Sequence, residues 1–477
     1  MTTPTGLTAT GAAAPGATAP PAARPARRGP ADLPFSFADR ALAQALASER
    51  DEPAWLRDDR LAALAAFDAL PVETNPLYTA YVDLRSADLF AVRPYVLTTA
   101  APVGGAPLPE GSAGLIDLRE GGITALVLDP AVAASGVTLE PLDAALARDP
   151  ERVRVELQEA ALPADDKLAQ LTRGLWSQGV RLAVPDGVRV ERPFVIRWAC
   201  GNPGRALLTR TLLALGEDAE ASVVEEQVAS GPRIACAAGE PVPQALFTGT
   251  TEVRLGRNAD LRLASIQDLP AGTSAFQHRV ADIGAGAGLR WAVAQLGGRV
   301  VRSRIDNRLV GDGASVEQVE IVFGGREQLF DLTSFTRHVG RDTTGNLLSK
   351  AVLQHGGRAY IKGLISIEKT ARGTDSFLGE FGMLLDRESR SVTIPSLEID
   401  QPDCRRAAHA SSVGPVDENQ LFYLESRGIT PDEARKFIVL GFLEPVVARI
   451  PLEDERDRLW SLLEAKWAES RGATAAA

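Results

Sequence analysis

IGAGAGLRWAVAQLGGRVVRSRIDNRLVGDGASV, residues 283–316, opens and closes on the same kind of turn. Each turn carries an apolar residue, a glycine, two turn-compatible residues, an alanine, a small or acidic residue and an apolar strand start. Working outward, the phrase recurs as LGEDAEA at 215–221 and LGRNADL at 255–261, with looser echoes beginning at Phe323 (FGGREQL), Val339 (VGRDTTG) and His355 (HGGRAYI). Between the turns lie segments rich in β-branched residues: RLAV, VRVERPFVIRW, ASVVEEQV, LRLASI and VEQVEIVF. From Gly284 through Gly311, Gly324 and Gly340 to Gly356 the glycines are spaced by 27, 13, 16 and 16 residues. A repeat of one strand and a turn, with glycine wherever the backbone needs a positive φ, predicts a β-solenoid. One coil cannot bury its own apolar face, so coils stack and share an elongated core. A β-sandwich with evenly spaced turns is the alternative. The glycine-plus-alanine phrase favours the solenoid.

The flanks read differently. Residues 1–32 are rich in Ala, Pro, Thr and Gly with three arginines, a composition expected of a disordered tail rather than a secretory signal, although an organellar transit peptide is compatible with it. Residues 33–178 form a helical and mixed region. A helical pattern runs from Ser36 to Leu70, with Pro53 in a first-turn position and Pro71 as the stop. Residues 78–160 are mixed, with a Gly/Pro-rich loop near 104–114. A second helix is expected from Asp165 to Gln178, with Leu168, Leu171 and Leu175 on one face and Gly179 as its stop. The β-rich core then spans 179–400. A C-terminal helical domain, 401–477, completes the chain. There Asp417 and Gln420 suggest an N-cap with its reciprocal partner, and Gly428 marks the stop. Thr430-Pro431-Asp432-Glu433 is a capping box. Ala434, Phe437, Ile438 and Gly441 mark a helical face, Pro445 ends that helix, and Leu459, Leu463 and Trp467 line a last one.

Composition narrows the function classes. The 477 residues carry a net charge of -11, with 45% hydrophobic and 24% charged residues. That balance fits a globular chain and disfavours a nucleic-acid partner, which requires a concentrated basic face. No run approaches the roughly 18 apolar residues of a membrane span. Cys200, Cys236 and Cys404 lie far apart without a CxxC, which suggests a reducing compartment, so a cytoplasmic location is expected.

Catalytic motifs are absent. Gly340 and Gly345 have P-loop spacing, but Asn346 stands where the phosphate-binding lysine belongs. There is no HExxH and no GxSxG. The four histidines, His278, His338, His355 and His409, are scattered. A solenoid carbohydrate-active enzyme would need acid or base groups on its face and aromatic sugar platforms; an aromatic content of 5% argues against it. One place retains metal chemistry. Cys404 and His409 are suitable ligands for iron or zinc, and Arg405 and Arg406 between them would stabilise a thiolate. Two ligands do not close a site, and a structural histidine in a small-residue run is the ordinary alternative.

Three stretches carry a family resemblance: GLWSQGVRLAVPDGVRVERPFVI at 174–196, SKAVLQHGGRAYIKGLISIEKTARGTDSFLGEFGMLL at 349–385, and PSLEID (395–400) followed by AHASSVGPVDENQLFYLESRGITPDEAR (408–435). In order and content they resemble the SufB/SufD family of iron–sulfur cluster assembly proteins over residues 165–450. EPAWLRDDRLAALAAFDALP, 52–71, is similar to the N-terminal helix of the SufD side. The resemblance implies a right-handed parallel β-helix flanked by helical N- and C-terminal regions. It also implies a non-catalytic scaffold that pairs with SufB through the β-helix and binds the ATPase SufC through the C-terminal helices. Phe422, Tyr423, Arg427, Gly428, Phe437, Ile438 and Phe442 are then candidates for SufC docking. His409 matches the family histidine proposed as a cluster ligand, so it becomes a candidate ligand to a transient iron–sulfur cluster shared with SufB, with no permanently bound cofactor. Ala410 stands where SufB proteins carry glutamate, and Gly414 to Asp417 (GPVD) is SufD-like; both favour SufD over a SufB-type scaffold or a self-pairing paralogue. Ala407 occupies a place where many SufD chains have cysteine, and Cys404 is three positions too early to replace it.

Overall fold

The structure is a computed structural model describing residues 29–95, 107–159, 162–231, 244–326 and 328–474. The expected tail up to residue 28, the loop up to residue 106 and Cys236 lie outside the described residues. The N-terminal region contains α1 (Arg40–Glu49), α2 (Ala54–Ala69), β1 (Arg93–Pro94), β2 (Gly114–Arg119), β3 (Gly122–Leu128), α3 (Pro130–Ala134), β4 (Thr138–Pro141), α4 (Leu142–Arg148), α5 (Pro150–Glu159) and α6 (Lys167–Leu175). The solenoid follows as β5 (Gln178–Val184), β6 (Phe194–Cys200), β7 (Arg205–Leu215), β8 (Glu220–Ala229), β9 (Ala245–Leu255), β10 (Asp260–Gln267), β11 (Thr273–Ile283), β12 (Gly288–Gln295), β13 (Val300–Leu309) and β14 (Ser315–Gly324). It continues through β15 (Leu329–His338), β16 (Thr344–Leu353), β17 (Arg358–Ile367), β18 (Asp375–Leu384), β19 (Arg390–Ile399) and β20 (Arg406–Pro415). Helices α7 (Glu418–Glu425), α8 (Pro431–Val447) and α9 (Glu453–Thr474) end the chain.

Successive solenoid strands alternate between two sheets. Odd-numbered strands run β19-β17-β15-β13-β11-β9-β7-β5 in one sheet, and even-numbered strands run β20-β18-β16-β14-β12-β10-β8-β6 in the other, each parallel to its neighbours. The chain therefore winds a mainly β, parallel β-solenoid of eight coils. Its repeat is two strands and two corners, not one strand and one turn. Strand starts at Thr273, Val300, Leu329, Arg358 and Arg390 give a coil of 27 to 32 residues. The glycine series 284, 311, 324, 340, 356 belongs to both corners: 284, 311 and 340 lie at the first, 324 and 356 at the second.

The first corner explains its own sequence. Gly216, Gly256, Gly284, Gly311 and Gly340 stack along the solenoid, and they need no positive φ. A β-carbon at 256 would lie 2.7 Å from the backbone of Gly216, at 311 it would lie 2.0 Å from Ala285, and at 340 it would lie 2.2 Å from Gly311. Close approach of adjacent coils, rather than left-handed backbone, excludes a side chain. The left-handed residue comes two positions later, at Asp218, Asn258, Gly286, Gly313 and Asp342. These are the residue types that tolerate that conformation. Each donates its backbone N–H to a carbonyl of the next coil at 2.8–2.9 Å. Ala219, Ala259, Ala287 and Ala314 then turn inward and are buried.

The outer face of each sheet is covered. Leu64 and Phe67 of α2 with Leu168, Leu171 and Leu175 of α6 pack on Ala206, Leu208, Leu246, Phe276 and Val300. Helix α6 ends at Leu175. Gly179, expected as its stop, lies within β5, where a β-carbon would strike Leu142 and the carbonyl of Arg210. On the other side α8 and α9 cover the even-numbered sheet through Val439, Leu440, Leu443, Val446, Leu459 and Leu463. The capping box at Thr430 and Glu433 forms as expected. Two C-terminal expectations change. Only Ala434 of the expected α8 face is fully buried, because the sheet meets the helix along Val439, Leu440 and Leu443. Pro445 does not end the helix: burial of Val446 and Val447 carries the last turn past it.

A buried ion cluster fastens the N-terminal segment to the odd-numbered sheet. Glu73 lies 3.0 Å from Arg302 and 3.5 Å from Lys362; Asp331 lies 3.1 Å from Arg302 and 2.5 Å from Lys362. Beside it, Tyr78 stacks on Phe335 and donates its hydroxyl to the Gly363 carbonyl at 3.1 Å.

Candidate functional site at the open end of the solenoid

The two ends of the solenoid differ. At the N-terminal end β4 pairs antiparallel with β5, and β3 pairs antiparallel with β2, which itself lies beside β6. At the other end β19 and β20 are the outermost strands of their sheets, and among the described residues no strand lies beyond them. Alternate residues of each ten-residue strand therefore leave one row of backbone groups free to pair with another chain.

β20 carries the sequence AAHASS, which the sequence alone places in a helical domain beginning at residue 401. The solenoid runs to Pro415. Small residues weaken the strand signal, but register with β18 imposes the conformation. Ala407 pairs with Ser376, His409 with Leu378, and Ser411 with Glu380. Parallel in-register strands place paired side chains on the same face. Ser376, Leu378, Glu380 and Gly382 are all buried, so Ala407, His409 and Ser411 continue the solenoid interior into its last coil. Among the described residues no strand is stacked on that coil, and His409 is exposed.

Cys404 sits in the corner between β19 and β20, half-buried against the cluster of Leu347, Ile365, Ile367 and Leu378. Arg405 and Arg406, expected to stabilise its thiolate, are engaged elsewhere: Arg405 lies 2.5 Å from Asp342 and Arg406 lies 2.6 Å from Asp375. Among the described residues no group of three or more His, Cys, Asp or Glu side chains could hold a metal ion. His409 thus offers one imidazole at an open edge.

Sequence reading passed over Glu380. It is fully buried, its Oε2 accepts the Ile394 N–H at 3.0 Å, and its Oε1 has no hydrogen-bond partner. Burial pushes its carboxyl up to about 8, against the smaller lowering effect of the Ile394 N–H. The signal was its phase: it falls on the inward alternation of β18. A carboxyl raised from 4.5 to about 8 contributes stability that is fully present below the unfolded value and is lost as pH rises through the folded one. Glu380→Gln should therefore remove a stability loss of about 1.4 kcal/mol per pH unit across that window. Urea midpoints at about pH 5 and about pH 8 test this; parallel pH profiles in the two chains would refute it.

The C-terminal candidates divide by exposure. Phe422, Tyr423 and Phe437 are 72%, 57% and 60% exposed, an apolar surface on α7 and α8. Arg427 lies 5.0 Å from the Tyr423 ring centroid, and Gly428 has the positive φ that lets the chain turn into α8. Ile438 is half-buried. Phe442 turns towards the sheet, where the Lys350 ammonium lies 4.6 Å from its ring and donates to its carbonyl at 2.9 Å.

Comparison with known proteins assigns the class. The family described as SUF system FeS cluster assembly, SufBD core domain, matches residues 198–442. The chain belongs to the SufBD family of iron–sulfur cluster assembly proteins. It is 26% identical over 441 residues to a SufBD family protein of Staphylococcus epidermidis, covering 87% of this chain and 91% of that one. It is 26% identical over 422 residues to the Staphylococcus haemolyticus relative (85% and 88% coverage), and 25% identical over 424 residues to that of Staphylococcus aureus strain USA300 (86% and 88%). Among the described residues no helix is long and apolar enough to cross a membrane.

Proposed function

We propose that this chain is a non-catalytic, SufD-type scaffold subunit that acts in the cytoplasm. Through its open coil it pairs with SufB, it docks the ATPase SufC on α7 and α8, and it shares a transient iron–sulfur cluster with SufB. The observation that carries this reading is the uncovered last coil, with two free strand edges and His409 on one of them. A partner strand added to each edge would satisfy the backbone and cover the half-buried interior of β19. A single exposed imidazole suits a cluster whose other ligands come from the partner. Ala410 and the run Gly414 to Asp417 support the SufD side of the pair. The exposed Phe422, Tyr423 and Phe437 supply an apolar surface for SufC.

The test is anaerobic cluster reconstitution after co-expression with SufB and SufC. Wild-type chain should co-purify with both, and His409→Ala should leave that complex intact while lowering cluster absorbance several-fold. Unchanged cluster build-up with His409→Ala removes the ligand role. A chain that assembles cluster alone, without SufB, is instead a self-pairing scaffold. Phe437→Glu should weaken SufC capture at least tenfold without shifting the melting temperature; undiminished capture means that SufC docks elsewhere.

A further inference from the structure

Most buried carboxylates of the solenoid have a cation. Glu225 lies 3.3 Å from Arg279, Glu252 lies 2.7 Å from Arg210, and Asp331 lies 2.5 Å from Lys362. Glu380 is held differently. Its one protein partner is the Ile394 N–H, and Oε1 is left without a hydrogen bond although the side chain is fully buried. A buried carboxyl left this way costs stability unless a further partner completes it.

The surroundings are built to admit it. Gly363 on the facing sheet makes the space, since a β-carbon there would lie 2.6 Å from Oε1. Towards the open end, the residue above Glu380 on its own sheet is Ser411, and the residue above Gly363 is Pro395. Only this one coil lies between the carboxyl and the uncovered end. His409 is two residues from Ser411 on the same face of β20. Strand spacing and rise place the Cα atoms of His409 and Glu380 about 8 Å apart, close enough for an imidazole and a carboxylate to share one ion.

We propose that Glu380 is a second metal-binding group of this chain, which together with His409 takes a divalent iron at the open end of the solenoid. The inference rests on the reading that this end handles an iron–sulfur cluster, and it adds an oxygen ligand from within the core to the exposed imidazole. Imidazole and carboxylate both suit iron(II). In this arrangement the carboxylate approaches the ion from the buried interior of β18 and the imidazole from the exposed last strand. Binding would exchange the unpartnered contact at Oε1 for a metal bond.

The experiment is anaerobic calorimetric titration of the full-length chain with ferrous ion alone, repeated with cobalt(II) as a spectroscopic probe. Wild-type chain should take up one ion. Glu380→Gln and His409→Ala should each weaken uptake at least tenfold, with Glu380→Asp retaining part of it and the far-UV spectrum unchanged in all three. Wild-type affinity in Glu380→Gln, or no uptake by the wild-type chain, overturns the proposal. If His409→Ala weakens uptake and Glu380→Gln does not, Glu380 alone loses its role. If neither variant matters and His409→Ala also reconstitutes cluster normally, the reading of the open end falls with it.

Discussion

Gly311→Val is expected to destabilise the folded chain by about 4 kcal/mol or more, among the largest effects a single substitution can have. The new β-carbon would sit 2.0 Å from the Ala285 nitrogen and 2.4 Å from Gly284. Both obstacles are backbone of the adjoining coil, so no rotamer change relieves the overlap. Separating the coils there would break the corner hydrogen bonds from Gly286 to Asp312 and from Gly313 to Arg341. Gly441→Ala is the control, because it sits mid-helix with open space around its would-be β-carbon and should gain up to about 1 kcal/mol from helix propensity. Denaturant midpoints of the two variants should move in opposite directions. A Gly311→Val chain that unfolds with the wild type would mean that the coils do not approach as described.

Lys362→Met should cost about 3–5 kcal/mol, by a different mechanism. The cluster of Glu73, Asp331, Arg302 and Lys362 balances two carboxylates with two cations, and Lys362 is 1% exposed. Removing one cation leaves an uncompensated negative charge beneath the N-terminal segment. Adding Asp331→Leu to Lys362→Met restores the balance and should recover much of the loss, a coupling that a double-mutant cycle reads directly. Limited proteolysis near residues 72–82 should accelerate in the single variant. A loss below about 1 kcal/mol would show that water or relaxation screens the cluster.

The fold was legible because its first corner is chemically narrow. Only glycine fits between stacked coils, only Asp, Asn or Gly sits comfortably two residues later, and alanine fills the inward step; the phrase around Gly256 and Gly284 spells all three. The second corner has no such constraint, and Gly324 and Gly356, which belong to it, blurred the period. β20 was hidden because Ala407, Ala408 and Ala410 have little strand preference and take their conformation from β18. The buried face of α8 could not be read either, since Phe437 and Leu440 are equally apolar and only the sheet decides which is covered. His409 was found through its neighbours. Glu380 required knowing that Gly363 faces it across the core, a relation between residues 17 apart in sequence but on different sheets.

The uncovered last coil also sets how the molecule opens. In a stack where each coil rests only on its neighbours, stability accumulates one interface at a time. β19 and β20 have one such interface, whereas β9 to β16 have two. Amide protons of the end coil therefore exchange with solvent by a small local opening, while those of the central coils wait for much more of the rod to come apart. Whatever seats itself on that end converts the fastest-exchanging strands of the solenoid into interior ones.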